Sequence, residues 1–351
     1  MKTNYNQVNN FRVVARNTAF LLVMIFPLPV MAAPEISPVE AVVTRLAANV
    51  TGAEIQKALD ALPAGGGEVV LPAGKFEIRE PIVMRADNLT LSGAGPATIL
   101  RLADQADCPV VILGEPVNHP QKTVTNLHVR DLMIDGNRSG QQRELWREQG
   151  EGSEIRNNGI TIQGVSDSSV ERVITTRCRS GGLVTTLGVQ RLTVRELESF
   201  ENEFDGMACY YTTDSLFTDL NLHDNPGAGI SLDLAFNHNV ISNAVLVAND
   251  LGIFMRASRE NQFHNVLIRD SQHYGVFMAQ TEESVADGVR PAPQSECADN
   301  AFTNLAAANC GAAAFRVNDS TCTNNVVIRP RFADTHSGGL SLVVPNLVTV
   351  W

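Results

Sequence analysis

The chain has 351 residues, a formal net charge of −11, 44% hydrophobic residues and 19% charged ones. That composition excludes a disordered chain and a disulfide-stapled miniprotein. With 27 basic against 38 acidic residues it also disfavours a nucleic-acid binder, because a phosphate backbone demands excess Lys and Arg.

In chain order, Lys2, Arg12 and Arg16 precede an apolar run from Ala19 to Phe26, and small residues follow at Ala32 and Ala33. A basic start, a short apolar run and a small-residue end predict a signal peptide over residues 1–33. The run is shorter than the ~20 residues a bilayer span needs. The expected mature chain is therefore residues 34–351, one domain, secreted or periplasmic, monomeric and without a membrane segment. Thr51-Gly-Ala-Glu54 has the form of a capping box, and Ile55, Leu59 and Leu62 share one helical face, which predicts a helix near residues 52–62. Glu68–Lys75 follows as a first strand.

Further on, a glycine followed by a short apolar strand recurs at Gly159, Gly182, Gly206, Gly229, Gly252 and Gly275, in steps of 23, 24, 23, 23 and 23 residues. Apolar residues keep register before those glycines, at Val170, Val194, Phe217, Val240 and Phe263 and again at Val173, Leu197, Leu220 and Val266, with Asn243 interrupting the second column. A unit this short cannot bury its apolar face alone, whereas stacked copies can. The period predicts an all-β, right-handed parallel β-helix of about 23 residues per coil, with the helix near 52–62 capping its open end. Two stretches break the register, Ser139–Asn157 and Thr281–Glu296, and are expected to be excursions walling one face. Asn202, Asn225, Asn249 and Asn265 fall near corners, where turns or stacked side-chain ladders are expected. Six cysteines allow one or two disulfides, with Cys297–Cys310 or Cys310–Cys322 the nearest local pairs and free buried thiols the alternative. No Cys/His metal spacing is present, calcium is the one ion left open, and no other cofactor is called for.

The block Ile55–Asp60, Gly65–Pro72 and Ala73–Phe76 resembles the amino-terminal signature of the pectate-lyase-like β-helix superfamily. Leu132-Met-Ile-Asp-Gly136-Asn-Arg138, followed by a long polar stretch, is most similar to the mannuronan C5-epimerase catalytic module. The resemblance implies a parallel β-helix acting on a uronate-containing polysaccharide. It stops short of the family's catalytic run, Tyr-Gly-Phe-Asp-Pro-His-Glu. The aligned stretch here is Gly181–Leu187, without the acid, the histidine or the tyrosine. The module's loop lysine falls in Ser139–Glu144, which offers Arg143 instead.

Strand alternation offers an independent search. Offsets of one, three and five after each repeat glycine should point inward, and offsets of two and four outward. The outward fourth positions include Gln163, Thr186, Tyr210, Asp233 and Arg256, and the second positions include Ser231, Phe254 and Phe277. Coils stack about 4.8 Å apart, so Tyr210, Asp233 and Arg256 should form one row. The arginine can neutralise a uronate carboxylate and acidify C5–H, the tyrosine can move protons, and the aspartate can orient the arginine or hold a cation. These three are the expected catalytic residues; Arg143, Gln163, Thr186, Ser231, Phe254 and Phe277 are expected to bind substrate. Proton abstraction at C5, as a lyase or an epimerase, is the leading chemistry. One alternative is glycoside hydrolysis or transfer with Asp205 and Asp233 as the carboxylate pair. Another is a non-catalytic glycan-binding β-helix. His223, His238, His264 and His273 read as turn or surface residues.

Overall fold

The structure, a computed structural model, describes residues 42–144, 155–280, 296–336, 339–345 and 347–351. The expected signal peptide, most of the 139–157 stretch and all of 281–296 but Glu296 lie outside the described residues. The chain from Ala41 to Trp351 is one unit, a right-handed parallel β-helix of about 12 turns. Among the described residues its strands form a 15-stranded, a 10-stranded and a 6-stranded sheet, all paired in parallel.

One coil shows the construction. Thr193–Phe200 lies in the long sheet, Met207–Tyr210 in the ten-stranded sheet, Thr212–Thr213 in the six-stranded sheet, and Leu216–His223 begins the next coil. The eight-residue strands of the long sheet bend half-way at a left-handed residue: Arg172 (φ 51°), Glu196 (53°), Asp219 (58°), Asn243 (53°) and Asn265 (55°). Asn and Asp tolerate that conformation best, which is why the column carries them. Each repeat glycine opens a strand of the ten-stranded sheet. A Cβ at Gly206 would sit 2.9 Å from the Gly229 carbonyl oxygen, and one at Gly252 would sit 2.5 Å from that of Gly275. Close approach of successive coils, and not a special φ, demands glycine there.

The core is a set of stacked columns. Val170, Val194, Phe217, Ile241 and Phe263 are successive partners in the long sheet and are essentially unexposed. Phe263 stacks on Phe302 at 4.3 Å between ring centroids. Each such ring contributes about 1.5–3 kcal/mol by leaving water. The column holds Ile241 where the spacing predicts Val240, and Ala244 where it predicts Asn243. One extra residue enters this coil at the corner after Asp233, where both Leu234 and Ala235 are left-handed, against Tyr211 alone one coil earlier and Ala257 alone one coil later. Asn243 is thereby returned to the bend column, and the interruption in the sequence pattern is explained.

Buried asparagines line two corners. Asn202 donates to Asn225 (3.0 Å) and Asn225 to Asn249 (2.9 Å); Asn261 donates to Asn300 (3.0 Å) and Asn300 to Asn325 (3.0 Å). Asn265 belongs to a separate, exposed ladder with Asn243 and Asn304. At the amino end, the helix Gly52–Asp60 starts from Thr51 with both capping-box bonds formed. It buries Ile55 and Leu59 and is fastened by Gln56, which accepts from the Val83 N–H (2.7 Å) and donates to the Val83 carbonyl (3.0 Å).

Candidate functional site

The three middle strands of the ten-stranded sheet, Met207–Tyr210, Ala228–Asp233 and Leu251–Arg256, lie side by side, with Tyr210 in register with Asp233. Above them is a cleft of about 190 Å³ whose walls include Arg156, Asp205, Tyr210, Ser231, Phe254 and Arg256. Asp233 lies beneath it and is almost wholly buried. Both of its carboxylate oxygens are engaged. Oδ1 accepts the Leu234 N–H at 2.8 Å, while Oδ2 accepts Arg256 Nε at 2.8 Å and Arg256 Nη2 as well. Asp233 is therefore a holder: it aims the guanidinium, whose face rests over the Phe254 ring at 5.2 Å.

Geometry explains why Asp233 is buried although strand alternation points it outward. The extra corner residue folds the Leu234 N–H back onto the carboxylate, and Arg256 from the next coil covers it. The corner is strained as well. Earlier coils place Gly164 (φ 55°) and Gly188 (φ 63°) where these coils place Tyr211, Leu234, Ala235 and Ala257. A non-glycine residue in the left-handed region costs about 1–2 kcal/mol, and such cost concentrates where a site over-determines the backbone.

Asp205, from the loop before Gly206, is the second carboxylate of the cleft. It keeps a solvent-facing edge but is otherwise enclosed by protein. Its pKa is raised to about 6, chiefly by burial, against the lowering influence of the Ala228 N–H donor (2.7 Å) and of the Arg156 charge. A carboxyl raised to that value is suited to accept a proton near neutral pH.

The structure thus brings Tyr210, Asp233, Arg256, Ser231 and Phe254 together, and Phe277 extends the wall by stacking on Phe254 at 5.8 Å. It places the other expected binding residues elsewhere. Gln163 is buried, its amide donating to the carbonyls of Glu115 and Val117 (2.6 Å for the latter) while accepting from Thr186 (2.9 Å). Arg143 is exposed and outside the cleft lining. The stretch aligned with the family's catalytic run supplies Gly181 and Val184 to the cleft wall, and Thr185 is sealed against Thr212 at 2.6 Å. The motif around Asp135 forms a corner clamp instead of a cleft: Asp135 pairs with Arg177 (2.9 Å) and Arg101 and accepts the Asn137 N–H (3.0 Å). Sequence reasoning missed Arg156, Ser180 and Phe204. Arg156 belongs to the Ser139–Asn157 stretch expected to wall one face, Phe204 stands beside Asp205, and Ser180 carried no signal in the sequence.

Residues 115–342 match the family described as Periplasmic copper-binding protein (NosD). The chain belongs to the NosD family. Among curated proteins, this NosD-family chain is 30% identical over 193 residues to "Mannuronan C5-epimerase AlgE4" of Azotobacter vinelandii, covering 51% of this chain and 33% of that protein. The chain thus spans about a third of that relative, and 23% of AlgE2 from the same organism, to which it is 26% identical over 236 residues. Among solved structures, the AlgE4 A-module of the same organism is similar with a TM-score of 0.54 and 19% identity, over 85% of this chain and 95% of that one. A Yersinia enterocolitica Family 28 exopolygalacturonase is similar with a TM-score of 0.57 and 9% identity, over 89% of this chain and 77% of that one. At these identities the structures share the fold, the pectate-lyase-like parallel β-helix. Among the described residues no helix is long and apolar enough to cross a membrane.

Proposed function

We propose that this chain is a carbohydrate-active enzyme that binds a uronate-containing polysaccharide across the Arg256 cleft and abstracts the proton at C5. The observation that carries the reading is the pairing of a fixed cation with a proton-exchanging acid in one cleft: Arg256, aimed by buried Asp233, and Asp205, with its pKa raised to about 6. Arg256 would take the sugar carboxylate and stabilise the charge that develops when C5–H breaks. Asp205 would accept that proton, and Tyr210, at the end of the strand that follows it in the same coil, would return one. Phe254 and Phe277 give a ring face an apolar surface beside the cation. Elimination of the C4 oxygen makes this a lyase; reprotonation from the other face makes it an epimerase. The fold relatives include both an epimerase and a hydrolase, which supports a carbohydrate substrate in general terms. Hydrolysis by Asp205 and Asp233 is less favoured, since the closed pair with Arg256 withholds the second carboxylate.

The family description names copper and the periplasm. Copper sites are built from imidazole, thiolate or thioether donors converging on one point. Among the described residues no three His, Cys, Asp or Glu side chains converge in that way, so these donors do not form a copper centre and no step is assigned to one. A periplasmic location agrees with the signal peptide expected over residues 1–33.

The test is to incubate the purified chain with alginate, pectate and other polyuronides and follow ultraviolet absorbance and proton NMR. A C4–C5 double bond marks a lyase, and an altered C5 configuration marks an epimerase. Reducing ends released without unsaturation would transfer the site to hydrolysis, and no change on any polyuronide would refute the reading.

A further inference from the structure

The six cysteines are spread over the coils, and five of them are buried. Stacking sorts them. Asn300 donates through its backbone N–H (3.1 Å) and its side chain (3.0 Å) to Asn325, 25 positions on, and Ala301 pairs with Val326 at the same offset. Asn325 in turn donates to the Cys297 carbonyl at 3.1 Å. In that register Cys297 and Cys322 occupy one column on adjacent coils. Both are fully buried; burial, and after it the Cys322 thiol, raises the Cys297 pKa, and the Cys297 thiol lowers that of Cys322. The pairs expected from nearness in sequence are not the ones brought together: Cys310 Sγ lies against the Ala308 carbonyl, at 3.8 Å.

We infer that Cys297 and Cys322 are the two halves of a disulfide that clamps the last complete coils of the solenoid. The paired strands Ala301–Ala308 and Asn325–Ile328 begin within four residues of the two cysteines, and the spacing of such strands, about 4.8 Å, lies inside the Cα separation of roughly 4.4–6.8 Å that a disulfide accepts. Periplasmic and extracellular chains meet disulfide donors as they fold. The bond forms by exchange with such a donor, of the class of oxidised glutathione or a dithiol oxidase. Each cysteine gives up one proton, one S–S bond forms between them, and the donor's S–S bond breaks to two thiols that take up the two electrons and two protons. Because both sulfurs are sealed, the exchange belongs to folding, before the coils close. The bond would also hold Glu296, next to Cys297, which is bound to Arg259 at 2.9 Å, three residues after Arg256. Two sealed thiols without a third ligand fit a covalent bond better than a metal.

The experiment is to refold the full chain in a glutathione redox buffer, denature it without reductant, count thiols with a chromogenic aryl disulfide, and map tryptic peptides by mass. The expected count is four thiols instead of the six the sequence carries, with one cross-linked peptide pair joining Cys297 to Cys322. Reduction should lower the melting temperature by about 5 °C. Cys310→Ala should remove one thiol and leave the cross-link, so that a folding defect in the Cys322→Ala variant does not decide the matter. Six free thiols in the refolded protein, a bond to any other cysteine, or recovery of the pair as a Cu(I) dithiolate when Cu(I) is present during refolding would each overturn the inference.

Discussion

Replacing Asp205 with Asn tests the electrostatic reading of the cleft most directly. In the folded chain burial raises the carboxyl to about 6, from an ordinary value of 3.8. The native state therefore holds a proton that the unfolded chain has already released between about pH 4 and 6. Stability contributed by this group falls as pH rises through that window, and the full penalty stands above pH 6. About two pKa units correspond to an upper value of about 3 kcal/mol. The solvent-facing edge of Asp205 reduces this to about 1–2 kcal/mol. Asn is isosteric, cannot ionise, and its amide oxygen still accepts the Ala228 N–H. The Asp205→Asn variant should match the wild type near pH 4 and exceed it by about 1–2 kcal/mol at pH 7.5, a rise of about 2–5 °C in melting temperature. Thermal unfolding of both proteins from pH 4 to 8 at fixed ionic strength reads the difference. A gap that is constant with pH, or that shrinks as pH rises, would refute the reasoning. The same variant should lose about 10²-fold or more in turnover if the carboxylate takes the C5 proton.

Arg256→Ala should abolish polyuronide turnover or reduce it at least 10²-fold, while Asp233→Asn, which only loosens the aim of Arg256, should raise KM and lower kcat by a smaller factor; steady-state kinetics on both variants compare them. Asp135→Ala removes a buried carboxylate from two arginines and should cost about 3–5 kcal/mol in denaturant unfolding. Burial raises the Asp135 pKa, but the bonds from Arg177, the Asn137 N–H and Arg101 outweigh it and lower the pKa overall. Its contribution is therefore present above pH ~4 and lost as pH falls below, a loss that acid titration of the wild type should show and the variant should not. Ala235→Gly relieves a left-handed alanine at φ 67° and should stabilise the fold by about 0.5–1 kcal/mol in the same assay.

The solenoid was legible in the chain itself. A recurring glycine with apolar columns at constant offsets is a local, repeating signal, and only stacked coils can bury such columns. The capping box at Thr51–Glu54 was legible for the same reason, since its partners stand three residues apart. The row Tyr210–Asp233–Arg256 followed from period and alternation together. What alternation could not foresee was a single added residue at Leu234–Ala235. It shifts Ile241 and Ala244 into the core and turns Asp233 from an outward group into a buried holder. The proton affinity of Asp205, the arrival of Arg156 in the cleft and the meeting of Cys297 with Cys322 were likewise decided by tertiary structure. Burial and field depend on atoms brought from other coils, and the distance from Cys297 to its partner is one turn of the helix, which sequence nearness does not measure.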